Sequence, residues 1–413
     1  MATPEIAVEI GLDLGSKDTG AMVLDSATKG LLDGTYYLSG NVFHDISDRL
    51  ISVSVDRGKS QALDRIDAGT LNIQAHNNDR AFDPLYTDSP YSGAIVPRRQ
   101  IRVSANGYPV FIGFIDDIDI SYQPNISSVA SFSASDAFSV LANAGLDELV
   151  PALQLPGDRI NTILNLPEVN WDTTLRDIDT GETQMLDTMI AQDTPALSYL
   201  QLVSDSEFGN LFLSKDGKVT FRSRNSVPYI AGVTISDEKV GGVFTGIPYK
   251  DISVVYGSEN LYNRILISNS DAIPDEAIAE DLDSQLYYGV RAYSRDGLLV
   301  VNVADLESLA DFLLLSFSQP QYRFETVSIL LDDLSAVDQA KVLGLEIGNI
   351  VNMVFTPSQV PPAIQQAVRI IGISNDWRPY ENVITFSLER VDTGLFILDS
   401  TDFGVLDTDR LSY

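Results

Sequence analysis

The stretch RQIRVSANGYPVFIGFIDDIDISY (99–122) alternates apolar and polar residues through two runs joined at Asn106-Gly107. A period of two puts successive side chains on opposite faces, so each run reads as a strand with one buried face. Asn-Gly between alternating runs marks a hairpin. The same period governs RLISVSVDRG (49–58), GTLNIQAHNN (69–78) and SSVASFSAS (127–135). A chain with this repeated signal is expected to be mainly β. The regular exchange of strands with long helices that builds a parallel α/β sheet is missing.

The pattern changes in the middle. SDAFSVLANAGL (135–146) reads as a short helix, with Ser135 or Asp136 as cap and Gly145 near its end. Helical spacing returns in LPGDRINTILNLP (155–167) and DTPALSYLQLVSDS (193–206), the latter with Asp193 or Thr194 as cap and Pro195 in its first turn. GNLFLSKDGKVTFRSRN (209–225) carries Asp216-Gly217 between alternating runs, the strongest short-range hairpin signal in the chain. Residues from about 150 to 228 are therefore expected to form a small α+β insertion. Strands are then expected at 252–257, 263–268, 297–303, 322–333, 348–357, 367–379 and 382–392. A solvated acidic loop is expected at 271–284, and a helix at 304–320 ending at Pro320.

Composition removes whole classes of chemistry. There are no cysteines, which excludes disulfide scaffolds, Cys-zinc sites and thiol catalysis. His44 and His76 are the only histidines, so a His-rich metal site is impossible, and neither sits near a G-x-S-x-G elbow. Asp116 with Asp117, and Asp332 with Asp333, are adjacent on expected strands and would face opposite ways, so neither pair shares a substrate. No catalytic, cofactor-binding or metal-ligating residue is assigned. The net charge of −31 repels phosphate and argues against sequence-specific nucleic-acid binding. It equally suits the wall of a channel that must let DNA slide. No apolar run reaches the length of a membrane span, and MATPEIAVEI carries no Sec-type signal.

One motif invites a different reading. VEIGLDLGSKDTGAMVLD (8–25) resembles the first phosphate loop of the sugar-kinase, actin and chaperone ATPases. That clamp needs a second, Asp-bearing phosphate loop, and the best candidate, KVGGVFTG (239–246), lacks the Asp. Asp13 is instead expected at a turn or edge, with Gly15 supplying unusual backbone angles.

Two internal echoes bear on architecture. LDSATKGLLD (24–33) recurs as LDSTDFGVLD (398–407). More faintly, VFIGFIDDIDISYQPNISSVASFSASDA (110–137) and VRIIGISNDWRPYENVITFSLERVDT (368–393) share an order: a strand through a glycine, Gly113 or Gly372, a continuation, a Pro-containing turn and a returning strand. The echo implies two similar β domains flanking the insertion, with chance likeness of two hairpins as the alternative.

The order of segments resembles the tail-tip hub proteins of tailed bacteriophages, a family that includes the contractile-tail baseplate hub and siphophage tail-associated proteins. The carrying residues are VSVDRGKSQALDRIDAGTLNIQAHNNDRAFDP (53–84), VPRRQIRVSANGYPVFIGFIDDI (96–118), ASDAFSVLA (134–142) and FLSKDGKVTFRSR (212–224). LEIGNIVNMVF (345–355) and IIGISNDWRPYENVITFSLERV (370–391) complete them, and the ends GLLDGTYYL (30–38) and FILDSTDFGVLD (396–407) look like those of siphophage minor tail proteins.

The resemblance implies a mainly β fold of two tube-type β-barrel or sandwich domains with an inserted α+β domain. The divisions it implies are an N-terminal arm or hairpin (1–40), a first tube-type domain (41–148), the insertion (149–228), a second tube-type domain (229–395) with a helix at 304–318, and a C-terminal arm (396–413). It implies a non-enzymatic virion protein at the tail tip. A homotrimer would present six similar domains beneath the hexameric tube and line the DNA channel without specific DNA binding, with the insertion outside the ring. Its partners would be the distal tail protein, the tape-measure protein, and tail fibre or spike proteins. The chain stops at Tyr413 without the peptidase or fibre region of some relatives, so lysis and receptor binding are not expected of it. The alternatives are a hexameric distal tail protein, a β-rich glycosidase, and a carbohydrate-binding adhesin.

Overall fold

The computed structural model describes residues 3–12, 42–123, 127–224, 226, 230–271 and 274–391. Asp13, Gly15 and both copies of the LDS echo lie outside them.

The fold is mainly β. Among the described residues one sheet of thirteen strands runs through it, labelled here in chain order. The first seven are β1 (Ile6–Leu12), β2 (Val42–Asp45), β3 (Leu50–Gly58), β4 (Thr70–His76), β5 (Gln100–Ala105), β6 (Tyr108–Gln123) and β7 (Ser127–Asp136). The other six are β8 (Ile230–Ser236), β9 (Asp251–Gly257), β10 (Gln321–Leu330), β11 (Ile350–Phe355), β12 (Ile364–Arg378) and β13 (Glu381–Arg390). The spatial order is β9-β10-β13-β12-β3-β4-β7-β6-β5-β1-β2, with β11 beside the first part of β12 and β8 beside β11. The alternation does what it predicts: on β4, Leu71, Ile73 and Ala75 are buried while Thr70, Asn72 and Gln74 are exposed. The Asn106-Gly107 turn has φ of 48° and 79°, the positive pair a tight hairpin demands.

The faint echo is a structural duplication. In the first half, β3, β4, β7 and β6 are neighbours, and one row across them reads Val53–Ile73–Phe132–Ile118. In the second half, β9, β10, β13 and β12 give the row Ile252–Val327–Phe386–Ile373. Both rows are apolar and both place phenylalanine third, 1% exposed in each case. Each long strand carries a bulge at the same place, Asp116 on β6 and Ile371 on β12. Counting from the bulge, Gly372 falls at Asp117, and Val368, not Gly372, occupies the place of Gly113. The glycines of the sequence echo are thus not equivalent, because a period of two cannot reveal a bulge. The two halves share one apolar core, from Val8 on β1 to Leu388 on β13.

Among the described residues six α-helices lie off this sheet: α1 (Phe138–Asn143), α2 (Pro156–Leu164), α3 (Ala196–Glu207), α4 (Leu282–Tyr288), α5 (Val303–Phe317) and α6 (Ala336–Gly344). The first three pack with the Asn210–Leu213 and Val219–Arg222 hairpin in a second core. The predicted Asp216-Gly217 turn joins that hairpin, with Gly217 at φ 84°. The α5 helix packs on a separate three-stranded sheet of Arg264–Asn269, Glu276–Glu280 and Ala292–Leu298, with its own core.

Local expectations change in several places. The stretch 297–303, expected as a strand, ends one at Leu298 and enters α5 at Val303. The N-cap of α3 is Pro195 and neither Asp193 nor Thr194. Glu276–Glu280 is a strand inside the expected acidic loop, since Ala277 and Ala279 alternate inward between outward carboxylates. Asp332 and Asp333 sit in a 3-10 turn rather than on a strand, where the Asp332 carboxylate accepts from the Asn382 backbone N–H at 2.8 Å. The α6 helix, which the sequence pattern does not announce, starts at Ser335, whose side chain accepts from the Asp338 N–H.

Candidate functional site: a polar sheet face between two open edges

The sheet face opposite the core is continuous across both halves. One row of opposed residues runs Asp251–Ser328–Thr385–Ser374–Asp56–Thr70–Ser135, over β9, β10, β13, β12, β3, β4 and β7. Every member carries a hydroxyl or a carboxylate. The Ser328 and Thr385 hydroxyls bond one another at 2.8 Å. The cations at the rim are neutralised: Lys250 pairs with Glu381, and Arg378 with Asp376 at 2.9 Å. A surface dominated by hydroxyls and acids offers phosphate little to hold, although Arg323, opposite Val255, lies on the same face.

The two halves meet where β12 leaves β11 and pairs with β3. Gly372 opposes Gly58 there, and Trp377 opposes Val53. Glycine is required at this crossing. A Cβ on Gly58, whose φ is 92°, would stand 2.4 Å from the Ile371 carbonyl oxygen, and one on Gly372 would stand 2.5 Å from that of Lys59. Glu346 locks the same junction. Its carboxylate accepts from Arg57 Nη2 of the first half and from the backbone N–H of Lys215 in the turn after Asn210–Leu213, each at 2.8 Å. The Lys215 amine caps the end of α6, donating to the carbonyls of Leu343, Gly344 and Leu345. Burial holds that amine below its ordinary pKa.

The equivalent strand in the first half is treated differently. β6 is flanked by β5 only as far as Phe114. Beyond it, Asp117–Gln123 pairs with β7 on one side, and among the described residues no strand covers the other. Among the described residues β9 is likewise the terminal strand of the sheet, paired only to β10. Exposed strand edges are sites where another chain adds.

A cleft of about 1210 Å³ lies between the Asn210–Arg222 hairpin and the second half of the sheet. Several of its charges are already paired: Arg222 with Asp177 and Asp179, and Arg295 with Asp205. Asp136, buried beside β3, has its carboxyl pushed up to about 6 by burial, although the N–H groups of Gly69 and Phe138 and the nearby Arg57 pull the other way. Among the described residues no cluster of three acids or histidines could hold a metal ion. His44 lies on β2 against Tyr91, and His76 is exposed on β4, neither bonded to a nucleophile. Asp116 bonds Arg98 at 3.2 Å, while Asp117 is exposed on the polar face. No described helix is long and apolar enough to cross a membrane.

No family model matches the sequence, and no curated protein matches it. Solved structures do. A 43 kDa tail protein of prophage MuSo2 from Shewanella oneidensis aligns over 94% of this chain and 97% of its own, at 13% identity and a TM-score of 0.57. The tail protein from Neisseria meningitidis MC58 aligns over 94% of this chain and 96% of its own, at 12% identity and a TM-score of 0.58. The chain has the fold of these tail proteins over nearly its whole length.

Proposed function

We propose that this chain is a non-enzymatic structural protein of a phage tail tip, the hub that adapts a sixfold tube to a threefold tip. Three copies form a ring of six similar half-units, and the hydroxyl-and-carboxylate face of the sheet lines the DNA channel. The observation that carries the reading is the duplication inside one chain: two rows of the same residue classes, two bulges in step, and one sheet running through both. A chain that contains two copies of a ring-building unit halves the symmetry of its ring. The polar face suits passage rather than capture of DNA, because hydroxyls and carboxylates dominate it. The divisions expected for the tube-type domains and the insertion belong to this proposal, as do contacts with the distal tail protein, the tape-measure protein, and fibre or spike proteins.

Light scattering with negative-stain imaging of the purified chain tests it. A three-copy ring with six lobes and a central hole is expected. A six-copy ring would favour a distal tail protein instead. A compact monomer that cleaves polysaccharide would end the structural reading.

A further inference from the structure

The structure assigns the two open edges to each other. We propose that Asp117–Gln123 of one copy pairs antiparallel with β9 of the next, in the register that the chain already uses within itself between β12 and β3. The inference rests on the ring reading above and adds which strands meet, and how.

The register follows from the duplication. The matched rows place Val53 with Ile252 and Ile118 with Ile373, so Trp377 corresponds to Tyr122, and Gly58 to Gly257. Within the chain, Trp377 opposes Val53 and Gly372 opposes Gly58. Between copies, Tyr122 then opposes Ile252, Ile120 opposes Val254, Ile118 opposes Tyr256, and Asp117 opposes Gly257.

The side chains at both edges fit this pairing. Ile118, Ile120 and Tyr122 share one face of β6, and Ile252, Val254 and Tyr256 share one face of β9. Tyr122 is 52% exposed and Tyr256 is 69% exposed, unusual for aromatics at the end of an apolar stripe. Pairing would give each an apolar partner across the strand. On the polar face, Asp119 opposes Val255, and Asp117 opposes Gly257. No acid meets an acid, although the chain carries 58 of them. A slip by one residue would turn the apolar stripe of one edge toward the polar face of the other. The contact is head-to-tail, using different surfaces on each copy, so repetition closes a ring when the rotation allows.

The chain has no cysteine, so introduced thiols report cleanly. The double variant Ile120→Cys with Val254→Cys is compared with Asp119→Cys with Val254→Cys, whose thiols would lie on opposite faces. After mild oxidation, the first should yield at least about tenfold more cross-linked dimer and trimer than the second, given the strict geometry of a disulfide. Thermal melts of the reduced variants confirm that both fold. A preparation that sizes as a ring yet does not cross-link through 120 and 254 overturns the seam and leaves the ring reading standing. A six-copy ring that does cross-link there keeps the seam and removes the three-copy reading. A chain that stays monomeric at every soluble concentration overturns the seam as a contact the chain makes with itself.

Discussion

β6 and β12 are the same strand used twice, with different outcomes. Each begins beside a short antiparallel partner, passes a single-residue bulge, and continues as half of a long hairpin. Past the bulge, β12 is covered by β3, and Trp377 near its end is 2% exposed. Past its own bulge, β6 has no strand on one side among the described residues, and Tyr122 at the matching place is 52% exposed. The difference shows what the sheet does where it is satisfied and where it is not. The covered edge is locked by Glu346, paired glycines and a buried indole, whereas the open edge keeps its apolar stripe and is tethered by the Tyr122 hydroxyl donating to Asp83 at 2.8 Å.

The strongest way to break the comparison is to remove the lock. The Arg57 side chain is 5% exposed and that of Glu346 is 18% exposed. Breaking a buried pair by deleting one partner strands the other charge, at a cost of about 3–5 kcal/mol. Glu346→Ala should lower stability by that amount in urea unfolding of the monomeric chain. A loss below about 1 kcal/mol, the worth of a surface pair, would mean the strand pairing alone holds the halves together.

The equivalence of the halves is sharpened by truncating their matched phenylalanines. Phe132 packs edge-on against Phe82 with ring centroids 5.1 Å apart, and Phe386 lies in the same shared core. Phe132→Ala and Phe386→Ala should each cost about 3–5 kcal/mol, as large-to-small changes in a core do. If one costs little, the shared core is carried by one half, and the duplication is one of topology without energetic parity.

Much of the fold is legible in the sequence alone. The strands around Asn106-Gly107, the Asp216-Gly217 hairpin, the α2 and α3 helices and the long helix beginning near residue 303 all follow from period and turn chemistry. So does the existence of an echo. Its register is not legible, because Asp116 and Ile371 are bulged out of pairing and nothing in an alternating pattern marks an unpaired residue. The α6 helix is hidden although Ser335, Asp338 and Lys341 form a cap and an ion pair three residues apart, since its nine residues are too few for a clear period. The pairing of β12 with β3 joins residues more than three hundred positions apart, a choice fixed by the whole sheet and not by either strand.

A third comparison concerns one carboxyl. Asp136 ends β7, and its counterpart on β13 is Arg390, so the buried acid belongs to the first half alone. With its pKa raised from 3.8 to about 6, the folded chain holds that proton more tightly than the unfolded chain. The contribution is full below the unfolded value and is lost as pH rises through 6. Relative to Asp136→Asn, the parent should lose up to about 3 kcal/mol in urea unfolding between pH 4 and pH 7. The reverse slope would mean that the Gly69 and Phe138 donors and Arg57 outweigh burial.

The smallest effect on stability is the most telling about the edges. Gly58 and Gly257 hold matching places at the ends of β3 and β9. A Cβ on Gly58 meets backbone at 2.4 Å and forces a residue into a φ of 92°. Gly58→Ala should therefore cost about 2 kcal/mol or more. A Cβ on Gly257 meets only Val255 Cγ1, at an ordinary 3.6 Å. Gly257→Ala should leave the monomer within about 0.5 kcal/mol of the parent, since the added methyl meets no clash. If β9 receives the next copy's β6 as β3 receives β12, the same methyl would crowd the incoming backbone and shift assembly toward monomer in light scattering. Unchanged assembly would show that the two junctions differ in how closely their backbones approach, even where their registers agree.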